Sequence, residues 1–162
     1  MKFFVALAVS FFATSVQAKD LFSPEAHPEE YCLALNVYHE ARGSSYADQI
    51  AVADVVLNRV QDRRYPNTVC EVVKQGKKLD DGTMKRHACQ FSWYCDGKSD
   101  KPLDKDSWAI AQEIAYKLYV FEDFRGLTEG ATHYHADYVS PKWARSLHLT
   151  GTIGSHMFYR WD

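Results

Sequence analysis

Four cysteines constrain this chain more than any other feature of its sequence. They stand at positions 32, 70, 89 and 95, and an even number of cysteines in an exported domain is typical of disulfide pairs. Three pairings are possible, and the sequence alone leaves all three open. We favour Cys89–Cys95, which closes a short local loop, together with Cys32–Cys70, which ties two helices. The spacing C-x37-C-x18-C-x5-C lacks the C-x2-C pairs of structural zinc sites, so a cysteine metal centre is the weaker interpretation.

The N-terminal residues have the pattern of a signal peptide over residues 1–18. Lys2 is followed by an uncharged apolar run, and Val16 and Ala18 occupy the positions that signal peptidase reads. We expect cleavage after Ala18, which leaves residues 19–162 as one domain that is periplasmic or secreted. The alternative is an uncleaved N-terminal anchor, although the apolar run is short for a bilayer span.

Apolar periodicity and capping residues predict a mostly helical chain. Pro28 begins the first helix at a position where its missing N–H costs nothing, and Gly43 ends that helix. Ser45 caps the second helix and Thr68 caps a short third one. The predicted helices cover residues 28–42, 45–64, 68–76 and 106–120.

The remaining segments predict a loop and two short strands. Residues 77–100 are polar and contain glycine, so we interpret them as one long loop held by Cys89 and Cys95. Residues 131–135 and 156–160 alternate in character and are rich in aromatic side chains, as β-strands are. The predicted fold class is therefore α+β, mostly α-helical, with a small antiparallel β element.

Glu40 is the candidate catalytic residue. It follows Leu33 and Val37 on one apolar stripe, in the last turn of the first helix. Burial and the negative end of the helix dipole both disfavour the charged carboxylate, so both raise its pKa. A glutamate that keeps its proton at neutral pH is what a general acid needs. The alternative is a surface ion pair between Glu40 and Arg42 or a lysine.

Residues 90–92 form a second motif with candidate sugar-binding residues. Gln90, Phe91 and Ser92 precede Trp93 on the predicted loop. Aromatic rings stack on pyranose faces, and amide and hydroxyl groups bond to sugar hydroxyls. The alternative is that Phe91 and Trp93 anchor the loop to the core.

A third motif lies on the first predicted strand. Thr132, His133, Tyr134 and His135 are consecutive, so alternate members point to opposite faces. We expect one face to line a cleft near Glu40, where it would position sugar hydroxyls or an acetamido group. The sequence leaves open which face this is, and for each of the four a purely structural role is the alternative.

These motifs and their order are similar to those of a known family. Over residues 31–160 the chain resembles the SleB/CwlJ-type cell-wall hydrolase family, the catalytic domain of spore-cortex-lytic enzymes. The matching motifs are residues 35–43 (LNVYHEARG), 55–60 (VVLNRV), 90–92 (QFS), 130–135 (GATHYH), 141–143 (PKW) and 153–160 (IGSHMFYR). The resemblance implies a lysozyme/lytic-transglycosylase-like fold and a single essential glutamate at Glu40. It also implies a substrate, the β-1,4 bond between N-acetylmuramic acid and N-acetylglucosamine in peptidoglycan.

Two routes to cleavage of this bond begin with the same acid. Protonated Glu40 donates to the glycosidic oxygen while the sugar gains oxocarbenium character. Hydrolysis then needs a second carboxylate, for which Asp137 is the candidate in these motifs. A lytic transglycosylase does not need one, because the same glutamate takes the proton of the muramoyl C6 hydroxyl and a 1,6-anhydro ring closes. We favour the lytic transglycosylase.

Two other functions fit parts of the sequence. Imidazoles of His39, His133, His135 and His156 could hold a metal in a metal-dependent wall amidase, with Glu40 as its base, although the sequence has no HExxH motif. A non-enzymatic peptidoglycan-binding module could use the aromatic loop alone. A chelator separates the first of these from a glycosidase, and a Glu40→Gln variant separates the second.

Bulk charge argues against a nucleic-acid partner. The formal net charge is −2, and loss of residues 1–18 removes one lysine and no acid. The sequence after the signal contains no apolar run of transmembrane length. The resemblance implies peptidoglycan as the partner, and we expect a monomer without stable membrane insertion and with no metal or other cofactor.

Overall fold

The computed structural model describes residues 22–162, which form four α-helices and five short strands. The predicted signal peptide, residues 1–18, lies outside the described residues. No helix within residues 22–162 combines the length and apolar character that crossing a bilayer requires. The helices are α1 Pro28–Ala41, α2 Tyr46–Gln61, α3 Val69–Val73 and α4 Lys105–Val120. The strands are β1 Gly76–Lys78, β2 Met84–Cys89, β3 His133–Ala136, β4 His148–Ile153 and β5 His156–Arg160, with 3-10 helices at Ser92–Cys95 and Lys142–Ser146.

Helix α1 is the central element of the helical core, because it packs against α2, α3 and α4. Leu33 and Val37 of its apolar stripe are fully buried. Complete burial of an aliphatic side chain of this size contributes about 1.5–3 kcal/mol. Since α1 is enclosed by three helices, the position of its last turn, which carries Glu40, is fixed by the core.

A three-stranded antiparallel sheet, in the order β3-β5-β4, packs against α2. Ala51 and Val55 of α2 meet Phe158 of β5 in a second buried cluster. The register pairs Tyr134 with Phe158, and His156 precedes Phe158 by two residues. Because paired residues and alternate residues share a face, these three side chains lie on the same side of the sheet. The α+β fold class is confirmed.

A buried carboxylate of α2 anchors the segment between α4 and β3. Asp54 is fully buried and accepts hydrogen bonds from the N–H and the hydroxyl of Thr128, at 3.0 and 2.6 Å. It also accepts from the N–H of Gly126 at 3.2 Å and pairs with Arg125. A buried carboxylate is stable only when its oxygens have hydrogen-bond donors and its charge has a partner. The anchor therefore fixes the path of the chain into β3.

Both predicted disulfides are present. Cys32–Cys70 joins α1 to α3, and Cys89–Cys95 joins the end of β2 to the 3-10 helix that follows it. The favoured pairing is confirmed, one bond tying two helices and the other closing a local loop.

Two expectations about local structure are wrong. Residues 77–100 are not one loop, since β2 and a 3-10 helix lie within them. The β1–β2 hairpin is mostly exposed, so it lacks the alternation of apolar and polar residues that marks a half-buried strand. The sequence analysis does not predict β4 for the same reason, since this edge strand is partly exposed and its register shifts between Leu149 and Gly151. Helix α2 also ends before the predicted Arg64, whose N–H donates to the side chain of Asp62 at 3.0 Å in a turn.

Candidate active site

Glu40 and Tyr134 meet where the last turn of α1 faces the sheet. The Tyr134 hydroxyl donates a hydrogen bond of 3.0 Å to Oε2 of Glu40, joining residues 94 positions apart. In the protonated acid, Oε2 accepts this bond as the carbonyl oxygen and Oε1 carries the proton. Arg42, a partner in the alternative surface ion pair, lies over the ring of Tyr38, 4.8 Å from its centroid.

Burial raises the pKa of Glu40 above its ordinary value. The hydrogen bond from Tyr134 and the positive charges of His156 and Arg59 act in the opposite direction, but the net direction is upward. Its place at the carboxyl end of α1, where the helix dipole is negative, adds to the effect of burial. Glu40 therefore holds its proton at a higher pH than an exposed glutamate does.

Tyr134 is a hydrogen-bond donor that keeps its proton. Its ring packs against His156 and Phe158, with ring centroids 5.3 and 5.8 Å away. Burial, together with the negative charge of Glu40, raises the pKa of Tyr134 well above its usual value. The phenol therefore remains neutral over the range in which Glu40 titrates, and it donates to both forms of the carboxyl group.

His156 is held beside Tyr134 by a buried carboxylate. Its Nδ1 lies 2.6 Å from Oδ1 of Asp48, which is 1% exposed. The other oxygen of Asp48 accepts from the N–H and hydroxyl of Ser155, each at 3.0 Å. Gly154 completes this turn with a φ of +55°, and a Cβ there would lie 2.5 Å from the carboxylate. Because Asp48 binds Nδ1, the orientation of the His156 ring is fixed.

Arg59 is a buried cation that supports both Glu40 and the start of β3. Its Nε donates to the carbonyl oxygen of Thr132 at 2.8 Å. Its guanidinium lies over the rings of Tyr65 and Phe91, at 5.3 and 5.1 Å from their centroids. Because its charge lowers the pKa of Glu40, it favours the carboxylate that remains after a proton has been donated.

Alternation along β3 decides which residues of the third motif face Glu40. Tyr134 does, whereas His133 and His135 point to the opposite face of the sheet. Thr132 is buried just before the strand, with its hydroxyl 3.0 Å from Nδ1 of His133. Tyr134 is therefore the member of this motif that contacts the candidate acid.

The two histidines of this motif differ in their surroundings. Nδ1 of His135 lies 2.8 Å from the following carbonyl oxygen and Nε2 lies 3.0 Å from the Tyr159 hydroxyl, so both nitrogens bond within the protein. Burial, with the charges of Arg59 and Arg64, lowers the pKa of His133 to about 4. His133 is therefore a neutral imidazole at physiological pH.

The 90–92 motif divides between surface and core. Gln90 and Ser92 are exposed, but Phe91 is only 3% exposed because its ring completes the helical core. Trp93 is also buried, and its Nε1 donates to the side chain of Asn36 at 3.2 Å. Phe91 and Trp93 therefore anchor this segment to the core, as the alternative interpretation predicts. Gln90 and Ser92 remain candidate sugar contacts.

Two charged residues near the site have no role in the sequence-based interpretation. Asp48 is not named there, and Arg59 appears only as part of a motif. Asp137, the candidate second acid for hydrolysis, is exposed directly after β3. The signal for the two missed residues is a charge near a helix end whose neighbours three and four positions towards the middle of the helix are apolar. Such a charge faces the core and must be buried with a partner.

The histidines that a metal-dependent enzyme would use are not brought together. Within residues 22–162 no three His, Cys, Asp or Glu side chains are grouped so that they could hold a metal ion. His39 stacks on Trp93, with centroids 4.5 Å apart, and its Nε2 lies 3.0 Å from a backbone carbonyl oxygen. His133 and His135 lie on the sheet face that points away from Glu40. This arrangement gives the amidase alternative little support.

Comparison with known proteins identifies relatives by sequence. A family model described as Cell Wall Hydrolase matches residues 43–159, a segment that begins just after Glu40. The spore cortex-lytic enzymes of Bacillus cereus and Bacillus subtilis are 51% and 49% identical to the chain over 41 residues, or 25% of this chain. These matches span 16% and 13% of the length of the two enzymes.

Solved structures also resemble the chain. The catalytic domain of the germination-specific lytic transglycosylase SleB from Bacillus anthracis has a TM-score of 0.63 and 26% identity, over 88% of this chain and 100% of that one. The catalytic domain of the Bacillus cereus SleB protein has a TM-score of 0.58 and 24% identity, over 92% of this chain and 100% of that one. The expected fold is confirmed by these likenesses.

Proposed function

Because the chain belongs to the cell wall hydrolase family, we propose that it cleaves the glycan strands of peptidoglycan with Glu40 as the catalytic acid. The proposed target is the β-1,4 bond between N-acetylmuramic acid and N-acetylglucosamine. The observation that carries the proposal is the 3.0 Å hydrogen bond from Tyr134 to the half-buried carboxyl group of Glu40. The likeness to the lytic transglycosylase domain of Bacillus anthracis supports it.

The first step is proton donation. Burial raises the pKa of Glu40 and so favours its protonated form, and Tyr134 occupies Oε2, which leaves Oε1 to carry the proton for the glycosidic oxygen. The proton moves to that oxygen as the bond to C1 breaks, and C1 gains oxocarbenium character. A well-placed general acid contributes roughly 10²–10⁴-fold to such a rate.

The second step uses the same residue as a base. The positive charge of Arg59 and the hydrogen bond from Tyr134 stabilise the carboxylate left by the first step, and a protonated His156 adds to this effect. That carboxylate takes the proton of the muramoyl C6 hydroxyl, whose oxygen bonds to C1 and closes a 1,6-anhydro ring. Glu40 is then protonated again, and the reaction consumes no water. A second carboxylate is not required.

The proposed place of action is outside the cytoplasm, in the periplasm or beyond the cell. Two disulfides fit an oxidising compartment, and residues 1–18 have the pattern of a signal peptide. Cell fractionation of the full chain and of a chain that lacks residues 1–18 tests this. Export of the first and cytoplasmic retention of the second are expected.

Digestion of purified peptidoglycan, with the products identified by mass spectrometry, tests the reaction. We expect 1,6-anhydro muropeptides. Reducing-end muramic acid would overturn the ring closure and leave glycan cleavage intact. Release of stem peptides from uncut glycan would overturn the proposal in favour of an amidase, and a chelator should then abolish the reaction.

A further inference from the structure

A row of aromatic rings lies on the sheet side away from Tyr134. Tyr65 contacts Trp161 with ring centroids 6.4 Å apart, Trp161 contacts His133 at 4.8 Å, and His133 contacts Trp143 at 5.3 Å. We call Tyr65, Trp161, His133 and Trp143 the aromatic strip. Tyr65 follows α2, His133 lies in β3, Trp143 lies in the second 3-10 helix and Trp161 follows β5. The fold therefore assembles the strip from four separate segments.

The two tryptophans of the strip reach solvent. Trp161 is 40% exposed and Trp143 is 36% exposed, whereas Trp93 and Trp108 are 9% and 8% exposed. The latter two complete the helical core. Large exposed rings that adjoin one another are informative, because an aromatic surface left in contact with water is typical of a binding surface.

The strip is held in place by its surroundings. The ring of Trp143 meets that of Tyr159 at 87°, with centroids 5.5 Å apart. The guanidinium of Arg64 lies 4.2 Å from the centroid of the Trp161 ring, and the Asp62 carboxylate holds that guanidinium with hydrogen bonds of 2.9 and 3.0 Å. Rings that are already ordered lose less conformational entropy when a ligand binds.

The strip also continues from the surroundings of Glu40. Tyr65, at one end, lies beneath the guanidinium of Arg59, whose charge acts on Glu40. His133, in the middle, directly precedes Tyr134 in β3. Tyr65 of the strip therefore contacts the buried Arg59, the same side chain whose charge acts on Glu40.

We propose that the aromatic strip is a glycan-binding subsite, which holds saccharide rings of the strand that is cut at Glu40. The inference rests on the proposed function. Aromatic faces pack against the C–H faces of pyranose rings, and the strip offers such faces beside the Arg64 guanidinium. Burial and two arginines lower the pKa of His133 to about 4, so its imidazole is a neutral ring at physiological pH.

Tryptophan fluorescence of a Glu40→Gln variant tests the inference without turnover. The probe is a preparation of short glycan strands stripped of their stem peptides. Because Trp93 and Trp108 are buried, acrylamide quenches mainly Trp143 and Trp161. We expect the glycan to protect this fluorescence from acrylamide. Glycan affinity is measured by sedimentation. When Trp143→Ala and Trp161→Ala are introduced together into the Glu40→Gln variant, this affinity should fall by about tenfold or more.

Two further variants separate stacking from general damage. Replacing both tryptophans by phenylalanine keeps a ring at each position and should retain most of the affinity. Phe121→Ala removes a ring that is 60% exposed at the end of α4 and contacts Tyr116, and it should leave affinity unchanged. An equal loss of affinity in the phenylalanine and alanine variants would contradict stacking.

Failure of this inference is distinguishable from failure of the proposed function. If Trp143→Ala/Trp161→Ala binds glycan as tightly as its Glu40→Gln parent, or if glycan gives the parent no protection, the strip is not a subsite. Cleavage by the wild type can stand in either case. Absence of cleavage by the wild type would instead overturn the proposed function, whatever the strip binds.

Discussion

At Glu40, opposing influences act on one carboxyl group, and the outcome decides its chemistry. Burial raises the pKa, while a phenol and two positive charges limit the rise. The result suits a residue that must first give a proton and then take one, because a pKa far from the working pH would favour only one of the two steps. Tyr134 affects Glu40 in two ways, because its hydrogen bond lowers the pKa of the carboxyl group and also holds Oε2 in position.

Tyr134→Phe should change both the pH profile and the rate. Activity requires protonated Glu40 and falls as pH rises through its pKa. Loss of a hydrogen bond that favours the charged form raises that pKa, so the falling limb should move to higher pH. Maximal kcat should drop about tenfold, because the carboxyl group loses its orienting partner. A pH–rate profile on peptidoglycan measures both effects.

Tyr159→Phe is the matched control. It deletes the same hydroxyl from the neighbouring strand, where the phenol contacts His135 on the opposite face. We expect the pH limb to stay where the wild type has it. A shift of equal size in the two variants, or a shift of the Tyr134→Phe limb to lower pH, would contradict the assignment.

Glu40→Gln should stabilise the folded protein at high pH. Because the folded pKa is raised, the carboxyl group of the wild type favours folding below its unfolded pKa and loses that advantage as pH rises through the folded pKa. Glutamine cannot ionise, and its carbonyl oxygen can still accept from Tyr134. Melting temperatures should therefore be similar near pH 4 and higher for the variant near pH 8. A lower melting temperature at pH 8 would argue against a raised pKa.

At the scale of elements, the contact between α2 and the β4–β5 turn depends on one glycine. Gly154→Ala places a Cβ 2.5 Å from the Asp48 carboxylate and also strains a φ of +55°. Gly82→Ala introduces a comparable φ strain at +83° with nothing within 4 Å of the new atom. We expect a loss of about 1 kcal/mol at Gly82 and clearly more at Gly154, because only the latter disturbs buried hydrogen bonds.

Urea unfolding of the two alanine variants measures this difference, and activity measures its consequence. Gly154→Ala should lower activity as well, since Asp48 orients His156 beside Tyr134. Equal losses of unfolding free energy in the two variants would show that the turn tolerates displacement of Asp48.

Capping residues and apolar periodicity, which are local patterns, predict the helices but not the small strands β1, β2 and β4. The Ser45 and Thr68 side chains accept hydrogen bonds from the N–H groups three residues later, as the capping patterns predict. Helix periodicity is likewise contained within each segment. The β1–β2 hairpin and β4 owe their structure to pairing with another strand, and their exposed residues follow no apolar pattern.

The same distinction holds for the site. Glu40 is a candidate from sequence because it ends an apolar stripe within one helix. Its partner Tyr134 is 94 positions away, and the pairing of Asp48 with His156 spans 108 positions. No spacing rule connects residues so far apart. The sequence therefore indicated a candidate acid and a strand near it, but not which face of that strand points towards the acid.

At the scale of the whole molecule, the two disulfides should differ in what they contribute. Cys32–Cys70 spans 38 positions and Cys89–Cys95 spans 6. Chain-entropy arithmetic gives about 4 kcal/mol for the longer loop and about 2 kcal/mol for the shorter one. Urea unfolding of Cys32→Ala/Cys70→Ala and of Cys89→Ala/Cys95→Ala should reproduce that order. The reverse order would indicate that the Cys89–Cys95 disulfide contributes more to stability than its loop length implies.

The most direct test of the account compares glycan cleavage by the wild type, Glu40→Gln and Glu30→Gln. Glu30 is a matched control because it lies on the same helix, where its carboxylate contacts His27. Initial rates of product release from peptidoglycan should fall roughly 10²–10⁴-fold for Glu40→Gln and stay within about twofold of the wild type for Glu30→Gln. A folded Glu40→Gln protein that cleaves at the wild-type rate would contradict the central role of Glu40.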